Sequence, residues 1–469
     1  MVFSNPSFLY YFLPVTLILY FLTPMPKGSP RWRNLTLFVM SLVFYAWGEP
    51  RYVFLMIAQC VSAWGFGLLI DRYRGHKASK VFMLVSAVVS FSGLIFFKYV
   101  NFFISNINSI INVNMPLIGL LMPIGISFYT FQILSYTFDL YNGNTVVQRN
   151  PVYFSMFVTL FPQLIAGPIV RYADIAREIH NREHALRHFA AGARRFIIGL
   201  GKKMLLANVF GELVSIYKQS SDQSVLFTWL YIAAFTLQIY FDFSAYSDMA
   251  IGLGHIFGFN FRENFNYPYI ADSITAFWRC WHMSLSSWFR DYVYIPMGGS
   301  RVPALRFVLN IMVVWVLTGF WHGADWNFVF WGGLFGIALL LEKSFLTKAL
   351  LMAPKPLRHV YVIVIVFVSW AFFDAANLSD AFAVIGRMFG VGVSSLVGNE
   401  ALYYMRSYAV PFVFGIIGST PLLKRLAEKL DAKQALATIL EPAVLLLILF
   451  AATAKMVDGS FNPFIYFRF

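Results

Sequence analysis

Charged side chains are scarce in this chain of 469 residues, where Asp, Glu, Lys and Arg together make up 12% of the sequence. A typical soluble domain carries about 25% charged residues, so the composition excludes a soluble globular protein. Hydrophobic residues instead make up 59% of the chain, and its mean hydropathy is +0.65. We therefore expect an all-α polytopic membrane protein with about 10–12 membrane segments. The length fits one multi-span domain over residues 1–469, without room for a large soluble domain.

Cysteine is nearly absent as well. The two cysteines, Cys60 and Cys280, lie in separate apolar segments, which excludes a disulfide framework and a cysteine metal cluster. Acidic residues are the rarer charge, and the formal net charge is +14. Because membrane proteins concentrate Lys and Arg in cytoplasmic loops, this excess does not imply nucleic-acid binding.

Basic residues gather first in the loops 24–33 and 71–80. Two apolar segments, about 34–48 and 52–70, separate these loops, so both loops are expected on the cytoplasmic face. The opening stretch 1–24 lacks a basic region and a small-residue cleavage site, and we interpret it as a retained first span. The N-terminus is then predicted to lie outside.

The next segments continue this alternation. A fourth apolar segment, about 81–100, leads to an uncharged loop rich in asparagine, which includes Asn101, Asn108 and Asn114. The chain is expected to return through about 116–140. The absence of charge suits an outer loop.

The apolar run 152–170 is followed by the densest basic block of the chain, 171–203. A full span at 152–170 would place this block outside. A re-entrant hairpin broken at Pro162 and at Gly167-Pro168 keeps the block inside, as the distribution of positive charge favours. Since irregular backbone at membrane depth is tolerated only inside protein or beside a cavity, re-entrant segments around a central tunnel are predicted.

Two carboxylates, Asp242 and Asp248, interrupt the apolar segment 224–258. A bare carboxylate at membrane depth costs about 2.5–3.5 kcal/mol on insertion scales, so both are expected to be hydrogen-bonded to nearby hydroxyls or paired with an arginine. A polar cluster that fixes helix packing is the favoured interpretation. A role in moving protons or substrate is the alternative.

Two histidines stand out between Phe277 and Trp326, because His282 and His322 each follow a tryptophan in strongly apolar sequence. Polar groups in such surroundings tend to mark substrate or ion pathways. The alternative is that each is a packing residue with satisfied polar atoms. Trp281 and Trp321 are the preceding tryptophans.

The residues around His282 predict a helix that begins near Ile274. On such a helix Arg279 and Ser286 lie three residues before and four residues after His282, so they share its face. Cys280 points elsewhere, which argues against a cysteine nucleophile. A pair between Ser286 and His282 is geometrically possible, although a serine in a membrane helix more often bonds its own backbone.

The helix before His322 is predicted over about 307–321, roughly 22 Å against a hydrocarbon core near 30 Å, so His322 should stop inside the membrane. Thr318 and Gly319 lie on its face, and Gly319 begins a small-xxx-small pattern that admits a neighbouring backbone. With Asp325 just beyond, this end could form the wall of a narrow polar tunnel. A metal site from His282, His322 and Asp325 is a weaker alternative, since their spacing matches no known metal motif.

These residues carry a resemblance to a known family. The stretches WRCWHMSLSSWFRDYVYIPMGGS and GFWHGADW resemble the signature of the bacterial membrane-bound O-acyltransferases, although Met297 stands where Leu is usual. PIGISFYTFQ, FPQLIAGPIVR and QIYFDFSAYSDMAIG are similar to further parts of that family. The opening MVFSNPSFLYYFLP and the ending NPFIYFRF resemble its alginate O-acetylation branch.

The resemblance implies that His322 is the catalytic histidine and His282 the second histidine of the motif pair. It also implies an acyl group taken from a cytoplasmic thioester, acetyl-CoA, and delivered outside to a partner acetyltransferase or a polysaccharide, in a bacterial inner membrane. No bound cofactor or metal is expected, and the basic block 171–203 could attract the phosphates of coenzyme A. The residues expected to line the tunnel or bind substrate are Arg279, Trp281, Ser286, Trp321, Asp325 and Thr318.

A transporter or flippase without acyl chemistry is the competing class. Re-entrant segments and intramembrane carboxylates suit both classes. The two halves of the chain show no inverted repeat and the histidine motifs have no second copy, which favours acyl transfer. The final acceptor stays open among alginate, cellulose, a wall polymer and another glycan.

Overall fold

The computed structural model describes residues 1–393, 395–431, 434–458 and 464–465. This part of the chain is helical and contains no β-strand, which confirms an all-α polytopic membrane protein. Of the ending NPFIYFRF, only Phe464 and Ile465 lie within it. The chain forms two compact units, residues 1–196 with 246–262 and residues 197–245 with 263–469.

Seven helices of the described residues are long and apolar enough to cross a membrane. A bent pair at residues 409–418 and 422–429 would make eight, and Phe8–Leu22 is a shorter apolar helix. The expected 10–12 segments and the central tunnel stay predictions. The seven are Tyr52–Arg72, Lys77–Ile111, Val225–Ile256, Ala304–His322, Trp326–Met352, Lys355–Asp374 and Thr438–Val457.

In the first unit, the predicted third span is the helix Tyr52–Arg72. The predicted second span forms the helix Arg31–Gly48, which is not among the seven helices long and apolar enough to cross a membrane. A π-helical segment, Ile95–Tyr99, joins α4 to α5. The last residues of α10 belong to the second unit. The helices are α1 Leu13–Leu22, α2 Arg31–Gly48, α3 Tyr52–Arg72, α4 Lys77–Leu94, α5 Val100–Ile111, α6 Ile126–Asn142, α7 Pro151–Thr159, α8 Phe161–Leu164, α9 Tyr172–His180 and α10 Leu186–Gly201.

The asparagine-rich loop is shorter than predicted, because Asn101 and Asn108 lie on α5. Their side chains bond the chain that follows the helix. The amide of Asn101 binds both backbone groups of Ile118 at 2.9 and 2.8 Å, and that of Asn108 binds both of Met115 at 2.9 Å. This extended segment therefore stays attached to α5, and α6 begins only at Ile126.

The segment 152–170 is broken, as predicted. Its first helix, α7, ends at Thr159, and Leu160 leaves the helical region with φ −52° and ψ 109°. The break falls just before Pro162, which cannot continue the hydrogen-bond ladder. All residues from 153 to 170 are buried, as irregular backbone at membrane depth requires.

Two of the basic loops meet at one end of the first unit. The guanidinium carbons of Arg33 and Arg182 lie 5.1 and 5.8 Å from the ring centroid of Tyr20. The terminal amine of Met1 instead interacts with Glu49, just beyond the other end of α2. The N-terminus and these basic loops therefore lie at opposite ends of this unit.

The second unit contains the two histidine motifs, and the first part of α12 belongs to it. A π-helical segment, Lys202–Ala207, precedes α11. The helices are α11 Asn208–Gln219, α12 Val225–Ile256, α13 Ile274–Cys280, α14 Met283–Phe289, α15 Ala304–His322, α16 Trp326–Leu341, α17 Thr347–Met352, α18 Lys355–Asp374, α19 Leu378–Met388, α20 Asn399–Ser407, α21 Ala409–Gly418, α22 Leu422–Asp431 and α23 Gln434–Val457.

Glycine lets α15 and α16 approach at backbone distance. A Cβ added to Gly319 would collide with the carbonyl oxygen of Phe328, and one on Gly332 with that of Trp315. Gly323 likewise faces the Phe328 ring. The predicted small-xxx-small contact is confirmed.

Both carboxylates of α12 are paired. In the first unit, Asp248 accepts from Nη2 of Arg195 at 2.9 Å, the arginine partner that the sequence predicted. In the second unit, Asp242 pairs with Nζ of Lys203 at 2.5 Å and accepts the Ile465 N–H at 2.7 Å. Asp242 and Lys203 are almost fully buried, so this pair fixes α12 to the π-helical segment that precedes α11.

Candidate functional site

The chain breaks at His282 rather than passing through it as a helix. The predicted start of α13 is confirmed, since Oγ of Ser273 accepts the Ala276 N–H at 3.1 Å. The helix ends at Cys280, and His282 takes the left-handed conformation with φ 42° and ψ 54°. That conformation is uncommon outside glycine, and it separates α13 from α14.

Asn264 accounts for the break, and it corrects the prediction of one continuous helical face. Its backbone carbonyl accepts the Met283 N–H at 3.0 Å, and its Oδ1 accepts the N–H and hydroxyl of Ser284 at 3.2 and 2.9 Å. The first donors of α14 therefore bond Asn264 instead of continuing α13. Arg279 is exposed on α13, on the other side of the break from His282. Ser286 is half-buried on α14, where its backbone N–H donates to the carbonyl oxygen of His282 at 3.1 Å.

The same asparagine orients the imidazole of His282. Nδ1 lies 3.1 Å from Oδ1 of Asn264. An amide oxygen only accepts, so Nδ1 carries the proton and Nε2 keeps its lone pair. Nε2 is buried and makes no hydrogen bond with the described residues. The ring packs edge-on against Phe243 at 4.6 Å, which leaves His282 arranged as a proton acceptor.

His322 closes a helix that is longer than predicted. α15 begins at Ala304 rather than near 307, because Pro303 provides its N-cap and the exposed Arg306 continues the first turn. Its 19 residues span about 28 Å, so α15 is long enough to cross the hydrocarbon core of a membrane. The depth of His322 therefore does not follow from a short helix. The residue is 2% exposed.

One tryptophan contacts both histidines. The ring centroid of Trp321 lies 5.9 Å from that of His282 and 4.9 Å from that of His322. The rings of Trp331 and Phe373 also pack against His322, with centroid distances of 5.0 and 5.3 Å. The structure thus brings the two motifs together around Trp321.

The other predicted site residues have local roles. Trp281 packs in the core against Trp370 at 5.1 Å. Thr318 donates to the carbonyl oxygen of Val314 at 2.7 Å within its own helix. Asp325 accepts the Trp326 N–H at 2.6 Å and caps α16. The described residues contain no group of three His, Cys, Asp or Glu side chains placed to hold a metal ion.

Glu342 is a contributor that the sequence reasoning missed. Its carboxylate accepts the N–H groups of Ile274 and Thr275 at 2.6 and 2.9 Å, and the Thr275 hydroxyl at 2.6 Å. A carboxylate at a helix N-terminus is favourable, and this one is 2% exposed. It fixes the start of α13, which leads to His282. A lone Glu in an apolar run was the available signal.

Comparison with known proteins assigns a family. Residues 146–378, which include both histidines, match the membrane-bound O-acyltransferase family, MBOAT. The probable alginate O-acetylase AlgI of Azotobacter vinelandii is 38% identical over 100% of both chains. That of Pseudomonas aeruginosa is 38% identical over 89% of this chain and 82% of the relative. The peptidoglycan O-acetyltransferase of Helicobacter pylori is 33% identical over 84% and 81%.

These matches decide between the two classes that the sequence left open. A transporter without acyl chemistry has no support among these relatives. The similarity extends over the whole chain, and the two histidine motifs lie inside the matched region. The chain therefore belongs to the membrane-bound O-acyltransferase family, in its alginate O-acetylation branch, and it is an enzyme of acyl transfer.

Proposed function

We propose that this enzyme takes an acetyl group from cytoplasmic acetyl-CoA and transfers it through a bacterial inner membrane. The acceptor is a hydroxyl of an extracytoplasmic polysaccharide, or of a partner acetyltransferase that serves one. The names of the relatives support this proposal, since they describe O-acetylation of alginate and of peptidoglycan. Acetyl-CoA is a substrate here and not a resident cofactor.

His322 is proposed as the general base. It takes the proton of the acceptor hydroxyl, whose oxygen attacks the thioester carbonyl carbon. The C–O ester bond forms, the C–S bond breaks, and the proton leaves with the thiol of coenzyme A. His282 lies beside the path of the substrate and orients the donor or His322.

The contact of both histidine rings with Trp321 carries the proposal. Buried histidines suit a site reached from two faces, because donor and acceptor lie on opposite sides of the membrane. Trp321 is proposed to line the site, and its contacts with both rings support this role. Thr318 and Asp325 are proposed to support the site indirectly. Thr318 hydrogen-bonds within α15, and Asp325 caps α16. The cytoplasmic placement of the basic loops is part of the same proposal.

The decisive experiment replaces His322 by Ala and by Gln. General-base catalysis contributes about 10²–10⁴-fold, so both variants should lose transfer on that scale while acetyl-CoA binding changes little. Gln keeps size and polarity but cannot take the proton. The measurement is transfer from radiolabelled acetyl-CoA, with a partner acetyltransferase present and expression matched.

His359→Gln is the matched control, because His359 is half-buried and bonds the carbonyl oxygen of Ala271 at 2.9 Å. It should transfer like the wild type. Near-normal transfer by His322→Gln would contradict the catalytic role and leave His322 as a packing residue.

A further inference from the structure

Arg182 carries a buried guanidinium at the end of the first unit where the basic loops meet. The residue is 6% exposed, and its Nη2 donates to Oδ1 of Asn34. Asn34 is fixed for this contact, because its Nδ2 donates to the carbonyl oxygen of Ile179 at 2.9 Å. Nε and Nη1 of Arg182 are also buried, and they make no hydrogen bond with any residue that the structure describes.

No carboxylate of the described residues compensates this charge. The remaining contacts of Arg182 are aromatic, with its Cζ 4.5 Å from the ring centroid of Phe259 and 5.8 Å from that of Tyr20. A guanidinium stays charged in proteins, and its burial is costly unless an anion and further hydrogen bonds accompany it. Cation–π contacts offset only part of that cost. The surroundings therefore require an anion that the described residues do not supply.

A second guanidinium stands over the same ring. Cζ of Arg33 lies 5.1 Å from the Tyr20 centroid, and its Nε donates to the carbonyl oxygen of Thr23 at 3.1 Å. Arg33 is half-buried and likewise has no ion pair with the described residues. Two cations thus face one aromatic ring without a carboxylate between them.

His184 joins Arg182 and Arg33 around Tyr20, and these three basic side chains form one cluster. The hydroxyl of Tyr20 donates to the carbonyl oxygen of Phe257 at 2.9 Å, so Nε2 of His184, 2.8 Å away, donates to the tyrosine oxygen. Burial, and then the charges of Arg33 and Arg182, lower the pKa of His184 to about 4. The cluster is strongly electropositive, and its half-buried members Arg33 and His184 leave it open to a ligand.

We propose that Arg182, Arg33 and His184 form a binding site for a phosphate group. Phosphate oxygens accept charge-assisted hydrogen bonds from guanidinium N–H groups, and the negative charge compensates both arginines. Exposed Phe21 contacts both Arg33 and His184, and exposed Trp32 directly precedes Arg33 in the chain. Aromatic residues are enriched in this way at the level of lipid headgroups. The phosphate belongs either to an anionic phospholipid or to the nucleotide part of a thioester donor. The second of these sources rests on the proposed acetyl-CoA donor.

The test uses the full-length protein in nanodiscs of phosphatidylcholine. One arm adds phosphatidylglycerol to the nanodiscs, and the other adds coenzyme A to the buffer. The readouts are the midpoint of thermal unfolding and the affinity for the added probe. A response in the first arm identifies a lipid headgroup, and a response in the second identifies the donor.

At least one probe should raise the unfolding midpoint of the wild type, and Arg182→Gln should abolish that shift. Arg33→Gln should weaken the affinity about ten-fold or more, as loss of a charged hydrogen bond does. Arg187→Gln, in the same basic block but exposed, should respond like the wild type.

Absence of any shift in the wild type, or an undiminished shift in Arg182→Gln, would overturn the site. If Arg182→Gln does not fold, Arg33→Gln carries the test by itself, because Arg33 is only half-buried. An unchanged affinity in Arg33→Gln would then count against the proposal.

Discussion

At the scale of single residues, the site depends on how one asparagine arranges one histidine. Asn264 bonds Nδ1 of His282 with the same oxygen that accepts from Ser284. A hydrogen-bond partner of this kind fixes the tautomer and the orientation of the imidazole ring. In metal sites, loss of such a partner of a histidine ligand typically lowers metal affinity or activity about 10–100-fold, and we expect a loss of roughly this scale here. Asn264 is thus a positioning residue, and His282 the group that it positions.

Asn264→Ala should lower acetyl transfer about 10–100-fold at unchanged membrane yield, because His282 loses its fixed tautomer. His282→Ala should lower it at least as much. The assay is transfer from radiolabelled acetyl-CoA, with folded protein quantified by size-exclusion chromatography.

Asn310→Ala is the control for that prediction. Asn310 is also buried, and its Nδ2 donates to the carbonyl oxygen of Gly299 at 3.0 Å, so its loss should reduce stability rather than transfer per folded molecule. Wild-type transfer by both Asn264→Ala and His282→Ala would assign His282 to packing.

At the scale of helices, His322 owes its position to the close contact of α15 with α16. Gly332 faces the carbonyl oxygen of Trp315, and Gly319 faces that of Phe328. A flexible side chain can move aside for an added methyl group, but a helix backbone cannot. A methyl group at either glycine must therefore displace a helix. The two helices and the loop between them form one packed element with His322 at the turn.

Gly332→Ala should destabilise the protein by about 1–3 kcal/mol through overpacking, and transfer should fall with it as α15 shifts. Gly333→Ala is the neighbouring control, since a Cβ there has nothing within 4 Å. It should be neutral or slightly stabilising because alanine favours helix. Thermal unfolding of both variants in one detergent measures the difference. Equal midpoints would show that the helices separate at little cost.

At the scale of the whole molecule, the membrane topology is predicted from the distribution of positive charge. Arg33 of the basic loop 24–33 and Arg182 of the basic block 171–203 meet at Tyr20, and the amino terminus lies at the other end of the first unit. Since positive loops stay in the cytoplasm, the N-terminus is expected outside.

Single cysteines at Arg74 and Arg187 should react with a membrane-impermeant maleimide from the cytoplasmic side, and one at Asn114 from the outer side. All three side chains are exposed, and Cys60 and Cys280 are first replaced by alanine. Labelling of intact cells and of inverted vesicles reads out the side. Opposite sides for Arg74 and Arg187 would contradict the re-entrant interpretation of 152–170.

The sequence by itself determined the features that depend on neighbours along the chain. Apolar length located the helices α2 and α3, the start of α13 was predicted near Ile274, and Pro162 marked a break. Burial of apolar residues and local hydrogen bonding act over one or two turns of helix. The residues involved are therefore close in the chain, and their pattern can be recognised in the sequence. The family resemblance rested on the same contiguous motifs.

Only the tertiary structure decided how distant segments complete the site. Asn264 ends the helix before His282, Lys203 neutralises Asp242, and Glu342 holds the start of α13. Each partner lies tens of residues away or on another helix, and no periodicity links it to the group that it satisfies. Buried polar groups must find partners, but packing alone determines which residue meets that requirement.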